Sequence, residues 1–94
     1  MIKSEAIMFV TYILYSKSLK KFYTGHTEDL DNRLNRHNAG KVRSTRKGMP
    51  WKLVTFFKFD LRSEAATLEL KVKKRGAFRY LEDIGFSFND QFGV

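Results

Sequence analysis

The chain has no cysteine and only one proline among its 94 residues. Without thiols there is no disulfide framework, no cysteine-ligated zinc and no thiol nucleophile, which excludes several enzyme classes at once. Long apolar runs are also missing, since no stretch approaches the roughly 18 apolar residues of a membrane span. Met1 to Phe9 lacks the basic start, apolar stretch and small-residue cleavage site of a signal peptide, so a cytoplasmic location without membrane contact is expected. Acids are scarce: 10 stand against 18 Lys and Arg, for a net charge of +8. No repeat or low-complexity segment is present.

What is there describes a folded domain. Hydrophobic residues make up 43% of the chain and nine are Phe, a content that supports a core and argues against disorder. A chain of this length holds one domain with a modest core, here residues 1–94 with a core over about 8–81 and a Phe-rich tail over 82–94. The cations fall in two blocks. Lys41, Arg43, Arg46, Lys47, Lys52 and Lys58 lie in a stretch without a single acid, and Lys71, Lys73, Lys74, Arg75 and Arg79 form the second block. Such an excess suits a phosphate backbone or another anionic surface, although a solvated basic face that keeps a small protein soluble would look the same.

The segment from Val10 to His37 organises the rest. Phe9 to Ser16 is rich in β-branched and aromatic residues, Lys17 to Lys21 is a polar break, and Phe22 to Gly25 is a second extended run, which predicts a hairpin. Apolar residues on both alternating sets of the first strand predict a central strand covered on two sides. A register symmetric about Lys17/Ser18 puts Tyr12 opposite Tyr23, with Cβ atoms roughly 5 Å apart. The two phenols then either pack as cross-strand partners or share a task. Thr27 reads as a helix N-cap, Glu28, Asp29 and Asp31 acidify the first turn, Leu30 and Leu34 mark the buried stripe, and Gly40 supplies a stop. Arg33 and His37 are one turn apart and border that stripe. His26 sits at the turn without an evident partner.

Asn38 to Pro50 reads as a basic loop in which Ser44 and Thr45 interleave with Lys41, Arg43, Arg46 and Lys47, donors of a type that fits phosphate oxygens. Lys20 and Lys21 in the hairpin break could join them. Trp51 to Phe59 is a third strand, with Trp51, Leu53, Thr55, Phe57 and Phe59 on one side and Val54 and Phe56 on the other. Ser63 reads as the cap of a second helix, with a stripe of Leu61, Ala65, Leu68 and Val72 broadened by Ala66, Leu70 and Ala77. Beside the stripe lies Glu69, either the partner of a core-facing cation such as Arg33 or a metal ligand. Gly76 ends or kinks this helix, Ala77 to Ile84 forms a third that Gly85 stops, and Phe86, Phe88 and Phe92 in the tail need cover from the core or from a partner chain. The order β-β-α-β-α-α predicts a small α+β domain with a three-stranded, mainly antiparallel sheet flanked by helices.

Val10-Thr11-Tyr12, Tyr23-Thr24-Gly25, Arg33 and His37 resemble in order and spacing the GIY-YIG nuclease domain, and the small stand-alone members akin to the N-terminal domain of the excision-repair subunit UvrC in particular. Val and Thr replace the Gly and Ile of the first triad and Thr the Ile of the second, while both Tyr and the last Gly are kept. The Ser-Thr-Arg loop is similar as well. The resemblance covers the chain to about Leu81 and implies the layered fold and metal-assisted hydrolysis of DNA phosphodiesters, with a place in DNA repair or processing. It implies Tyr12 as general base, Tyr23 positioning water or phosphate, Arg33 on the scissile phosphate, His37 assisting, and Glu69 holding one Mg²⁺ or Mn²⁺. Products would carry a 5′ phosphate and a 3′ hydroxyl. The small members usually flank that Glu with Arg and Lys, and here Leu68 and Leu70 stand there, so the alternative is a catalytically weak or inactive nucleic-acid-binding module. The partner expected in either case is DNA, with a protein partner or a second copy as the cover for the tail. Replacing Arg43, Arg46 and Lys47 by Ala should weaken DNA binding and flatten its salt dependence by about one unit of log–log slope per lost phosphate contact; an unchanged slope would place the contact surface elsewhere.

Overall fold

The computed structural model describes residues 7–87. Strands β1 (Phe9–Ser16) and β2 (Lys21–Thr27) form the expected hairpin, and helix α1 (Leu30–Asn38) follows. A 3-10 helix, Arg43–Gly48, leads to strand β3 (Trp51–Phe59), and helices α2 (Arg62–Arg75) and α3 (Ala77–Asp83) complete the α+β order. The sheet runs β2-β1-β3 with both pairings antiparallel, so β1 is central. Its residues from Val10 to Ser16 are all buried. Strand alternation divides them: Thr11, Ile13 and Tyr15 face α2 and α3, while Tyr12 and Leu14 face α1. Ile13, Tyr15, Val54, Val72 and Leu81 build one core cluster, and Tyr12, Leu14 and Trp51 with Leu30 and Leu34 build the other.

The hairpin register differs from the symmetric reading. Tyr12 pairs with Gly25, and Tyr23 pairs with Leu14. The turn spans Lys17 to Lys20 and closes on the Ser16–Lys21 pair, because Ser16 Oγ accepts the Leu19 N–H at 3.2 Å and Lys20 takes a positive φ of 55°. The slip totals two residues, so it preserves the face of every side chain. The phenols remain diagonal neighbours, with ring centroids 6.3 Å apart.

Strand β3 also departs from simple alternation. Ile13 pairs with Thr55 and Leu14 with Leu53, which leaves Val54 as the inserted residue of a bulge. Trp51 and Leu53 therefore pack on the α1 side, while Val54 and Phe57 join the cluster under α2 and α3. The single apolar face expected from Trp51 to Phe59 is split in two.

Both proposed helix caps move. Thr27 ends β2, where its Oγ1 accepts the Asp29 N–H, and Asp29 caps α1 by accepting the Asn32 N–H at 3.1 Å. Leu61, not Ser63, precedes α2, and the Glu64 carboxylate reaches back to the Leu61 N–H at 3.2 Å. Ala65 and Val72 are buried as the stripe requires, but Leu61 and Leu70 are exposed, at 57% and 67%. Asn38 pins the end of α1 to the start of β3: its amide donates to the Trp51 carbonyl and accepts the Trp51 N–H, at 2.9 and 2.6 Å. Gly76, at φ 93°, separates α2 from α3. Phe86 packs on the core as expected of the tail, whereas Phe88 and Phe92 lie outside the described residues.

Thr11 stands where the GIY motif has Ile, and the fold gives it a use. Its buried hydroxyl donates to the Ala65 carbonyl of α2 at 2.7 Å, tying the helix that carries Glu69 to the central strand. Thr11→Val keeps the shape and removes the bond, so it should lower stability by about 1 kcal/mol in denaturant unfolding; an unchanged midpoint would show that apolar packing alone holds α2.

Candidate active site

The site grows from the β1–β2 pair. Tyr12 is fully buried and its ring lies over Gly25 on the edge strand. A Cβ on Gly25 would stand 2.6 Å from the Tyr12 hydroxyl oxygen and 2.8 Å from Cζ, so only glycine leaves the phenol its place. Tyr23 packs edge-on against His37 at 5.0 Å between centroids, and Trp51 packs behind Tyr23 at 6.3 Å.

Helix α1 brings the polar groups to that phenol. The Tyr12 hydroxyl lies 3.1 Å from His37 Nε2. On the other side of the imidazole, His37 Nδ1 lies 2.7 Å from Thr45 Oγ1, which donates to the Val42 carbonyl at 3.3 Å. Arg33, one turn before His37, is placed to donate to the Tyr12 oxygen. Burial, reinforced by the neighbouring Tyr23 and opposed by Arg33, pushes Tyr12 up to about 12. Burial, with Arg33 and Arg36 nearby, holds His37 below its usual 6.5. At neutral pH the pair is therefore a phenol facing a neutral imidazole.

Glu69 occupies the other face. It does not pair with Arg33, which sits on α1 across the sheet; its Oε1 lies 2.6 Å from His26 Nδ1 and its Oε2 accepts from Lys73. His26 pairs with Thr11 in register and so shares the face against which α2 packs. Burial raises the Glu69 carboxyl, but hydrogen bonds from Lys73 and His26 outweigh it and leave the group below its ordinary value. The Glu69 charge adds to the upward push on Tyr12.

Among the described residues no group of three or more His, Asp or Glu is arranged to hold a metal ion. Glu69 alone offers a hard oxygen donor in this set, with its side chain 17% exposed. One carboxylate with open positions fits Mg²⁺, which keeps several waters, and does not make an all-protein cage.

The basic segment is more ordered than a loop. Its 3-10 helix turns Arg43, Ser44, Arg46 and Lys47 outward, and Lys41 just before it is exposed as well. Thr45 points inward and is 2% exposed, so it is a partner of His37 and not a phosphate donor, contrary to the reading from sequence. Arg46 Nε also donates to the Gly40 carbonyl at 3.0 Å, and Trp51 Nε1 donates to the Thr45 carbonyl at 2.7 Å. A Cβ on Gly48 would meet Leu19 Cδ1 at 3.0 Å, so the hairpin turn with exposed Lys20 and neighbouring Lys21 abuts this segment.

The structure brings Tyr12, Tyr23, Arg33 and His37 into one cluster, and it adds His26, Lys73 and the inward-facing Thr45, which the sequence did not single out in these roles. Lys73 was within reach, since Glu69 and Lys73 are four apart on one helix. His26 needed the hairpin register and the docking of α2, neither of which is a local property.

The fold and this arrangement define a class. The sequence profile of the GIY-YIG catalytic domain matches residues 8–80, and the chain belongs to that family. Among its relatives are UPF0213 proteins of Streptococcus pyogenes serotypes M5 and M3, each 44% identical over 57 residues, or 60% of this chain and 62% of theirs. The chain thus spans about three-fifths of the length of those curated relatives. The solution NMR structure of the UPF0213 protein BH0048 from Bacillus halodurans is similar at a TM-score of 0.52 and 32% identity, over 83% of each chain.

A folded-state value for His37 below 6.5 means that the unfolded chain takes up that proton more readily than the native one. The stability this group contributes is complete above about pH 6.5 and is lost as the pH falls below it. Denaturant midpoints should decline from pH 8 to pH 5, and His37→Gln should flatten the decline; the same slope in the variant would assign the acid lability to another group.

Proposed function

We propose that this protein is a metal-dependent endonuclease that hydrolyses DNA phosphodiester bonds. The observation that carries the reading is the buried Tyr12 hydroxyl 3.1 Å from His37 Nε2, with the Arg33 guanidinium near enough to oppose the rise of the phenol. The match of residues 8–80 to the GIY-YIG catalytic domain, and the similarity of the fold to that of a UPF0213 protein, support it.

A phosphodiester needs an activated water and stabilisation of the charge that develops on the phosphate and on the leaving 3′ oxygen. With Tyr12 held near 12, little phenolate exists at neutral pH. Tyr12 therefore acts with His37: as the phenol oxygen takes a proton from the attacking water, its own proton passes to His37 Nε2. The water oxygen bonds to phosphorus, the bond to the 3′ oxygen breaks, and solvent protonates the leaving oxygen. Arg33 stabilises both the phenol oxygen and the non-bridging oxygens. Tyr23, packed on His37, positions the water. A divalent cation, Mg²⁺ or Mn²⁺, held at Glu69 would supply charge stabilisation for the leaving oxygen, and it would replace Lys73 and His26 as partners of the carboxylate. The exposed cations Lys20, Lys21, Lys41, Arg43, Arg46 and Lys47, with Ser44, carry the DNA backbone past the site. The proposal includes a cytoplasmic location and a role in DNA repair or processing.

The engagement of both Glu69 oxygens by His26 and Lys73 favours the second reading, a binding module without turnover. Nicked and branched DNA incubated with Mg²⁺ or Mn²⁺ separates the two. Tyr12→Phe should fold normally and cut about 10²-fold more slowly. Glu69→Gln should abolish metal-dependent cleavage while DNA binding stays intact. A wild-type protein that binds DNA but cleaves none of it with either Mg²⁺ or Mn²⁺ would decide for the binding module.

A further inference from the structure

A chain of one-way groups runs through the buried interior between β1, α1 and the 3-10 helix. His37 is fully buried and Thr45 is 2% exposed, so water does not compete for the hydrogen bonds of the imidazole. At one end stands Arg33, whose guanidinium can only donate. At the other is the Val42 carbonyl, which can only accept, and which takes the Thr45 hydroxyl proton at 3.3 Å. Directed to that carbonyl, the hydroxyl proton leaves Thr45 Oγ1 with a lone pair facing His37 Nδ1 at 2.7 Å, an arrangement in which Nδ1 carries the imidazole proton. Nε2 is then a bare lone pair 3.1 Å from the Tyr12 hydroxyl.

Thr45 has little freedom to do otherwise. Its N–H donates to the Val42 carbonyl at 3.1 Å, and its own carbonyl accepts the Trp51 indole N–H at 2.7 Å. Trp51 is in turn held through its backbone by Asn38, the residue next to His37 on α1. The side chain that meets Nδ1 and the helix that carries the imidazole are thus braced against the same tryptophan.

We infer that Thr45 is a positioning residue: it fixes the His37 tautomer and so makes Nε2 the acceptor of the Tyr12 proton. It touches neither substrate nor reacting atoms. Its hydroxyl could have served a phosphate, as the basic residues around it suggest, but it is turned inward to orient the imidazole. The catalytic consequence rests on the nuclease reading above; the tautomer does not.

The chain has only two histidines, so the imidazole nitrogens can be read directly in the full-length, 15N-labelled, untagged protein at pH 8. Long-range proton–nitrogen correlation should show His37 with Nδ1 protonated and Nε2 bare, with His37→Gln giving the assignment and His26 serving as internal control. Thr45→Val should move the proton population to Nε2 without altering the His26 signals, and Thr45→Ser should restore the wild-type pattern. In cleavage assays Thr45→Val should lower kcat by about 10- to 100-fold at unchanged KM, with Thr45→Ser close to wild type. A wild-type His37 protonated at Nε2, or a Thr45→Val spectrum equal to wild type, would overturn the inference. If the tautomer responds as stated but the wild type cuts no DNA, the positioning role stands and the nuclease reading falls.

Discussion

Burial of β1 on both faces is the constraint from which the site follows. In a strand covered on two sides, neighbouring residues are committed to different layers, and the change from Thr11 to Tyr12 crosses the sheet. Thr11 binds the α2 backbone, and Tyr12 enters the layer beneath α1. The helix that carries Glu69 and the helix that carries Arg33 and His37 are therefore indexed to adjacent residues of one strand. Gly25 completes the arrangement from the edge, because the Tyr12 ring occupies the space a side chain would need.

Burial also sets the electrostatics, with opposite effects on the two halves. Removing Tyr12 and His37 from water favours the uncharged form of each, so they meet as a neutral hydrogen-bonded pair. Glu69 is only partly removed from water and is compensated by a cation and an imidazole, so it stays ionised. The two faces therefore differ in kind, with a neutral phenol–imidazole pair on one and a fixed negative charge on the other.

The features that surprised are those where a side chain served the fold instead of the surface. Asn38 and Thr45 both lie in or beside the stretch richest in exposed cations; Asn38 uses its amide to hold the Trp51 backbone, and Thr45 turns inward to hold His37. The exposed Leu61 and Leu70 are the converse, apolar residues of a helical stripe that the packing angle of α2 leaves uncovered.

Taken alone, the sequence determined the element order, the central strand with two covered faces, the one-turn spacing of Arg33 and His37, and the convergence of Tyr12, Tyr23, Arg33 and His37. These follow from periodicities of two and 3.6 and from short-range spacing, which the chain carries locally. Tertiary structure alone decided the pairing of Tyr12 with Gly25, the bulge at Val54, the pairing of Glu69 with His26 and the inward turn of Thr45. A register depends on which turn closes best. A bulge depends on two cores competing for one strand, and a buried hydroxyl depends on which carbonyl and imidazole the rest of the chain brings within its reach. Each is settled between residues far apart in sequence, so no local pattern records it.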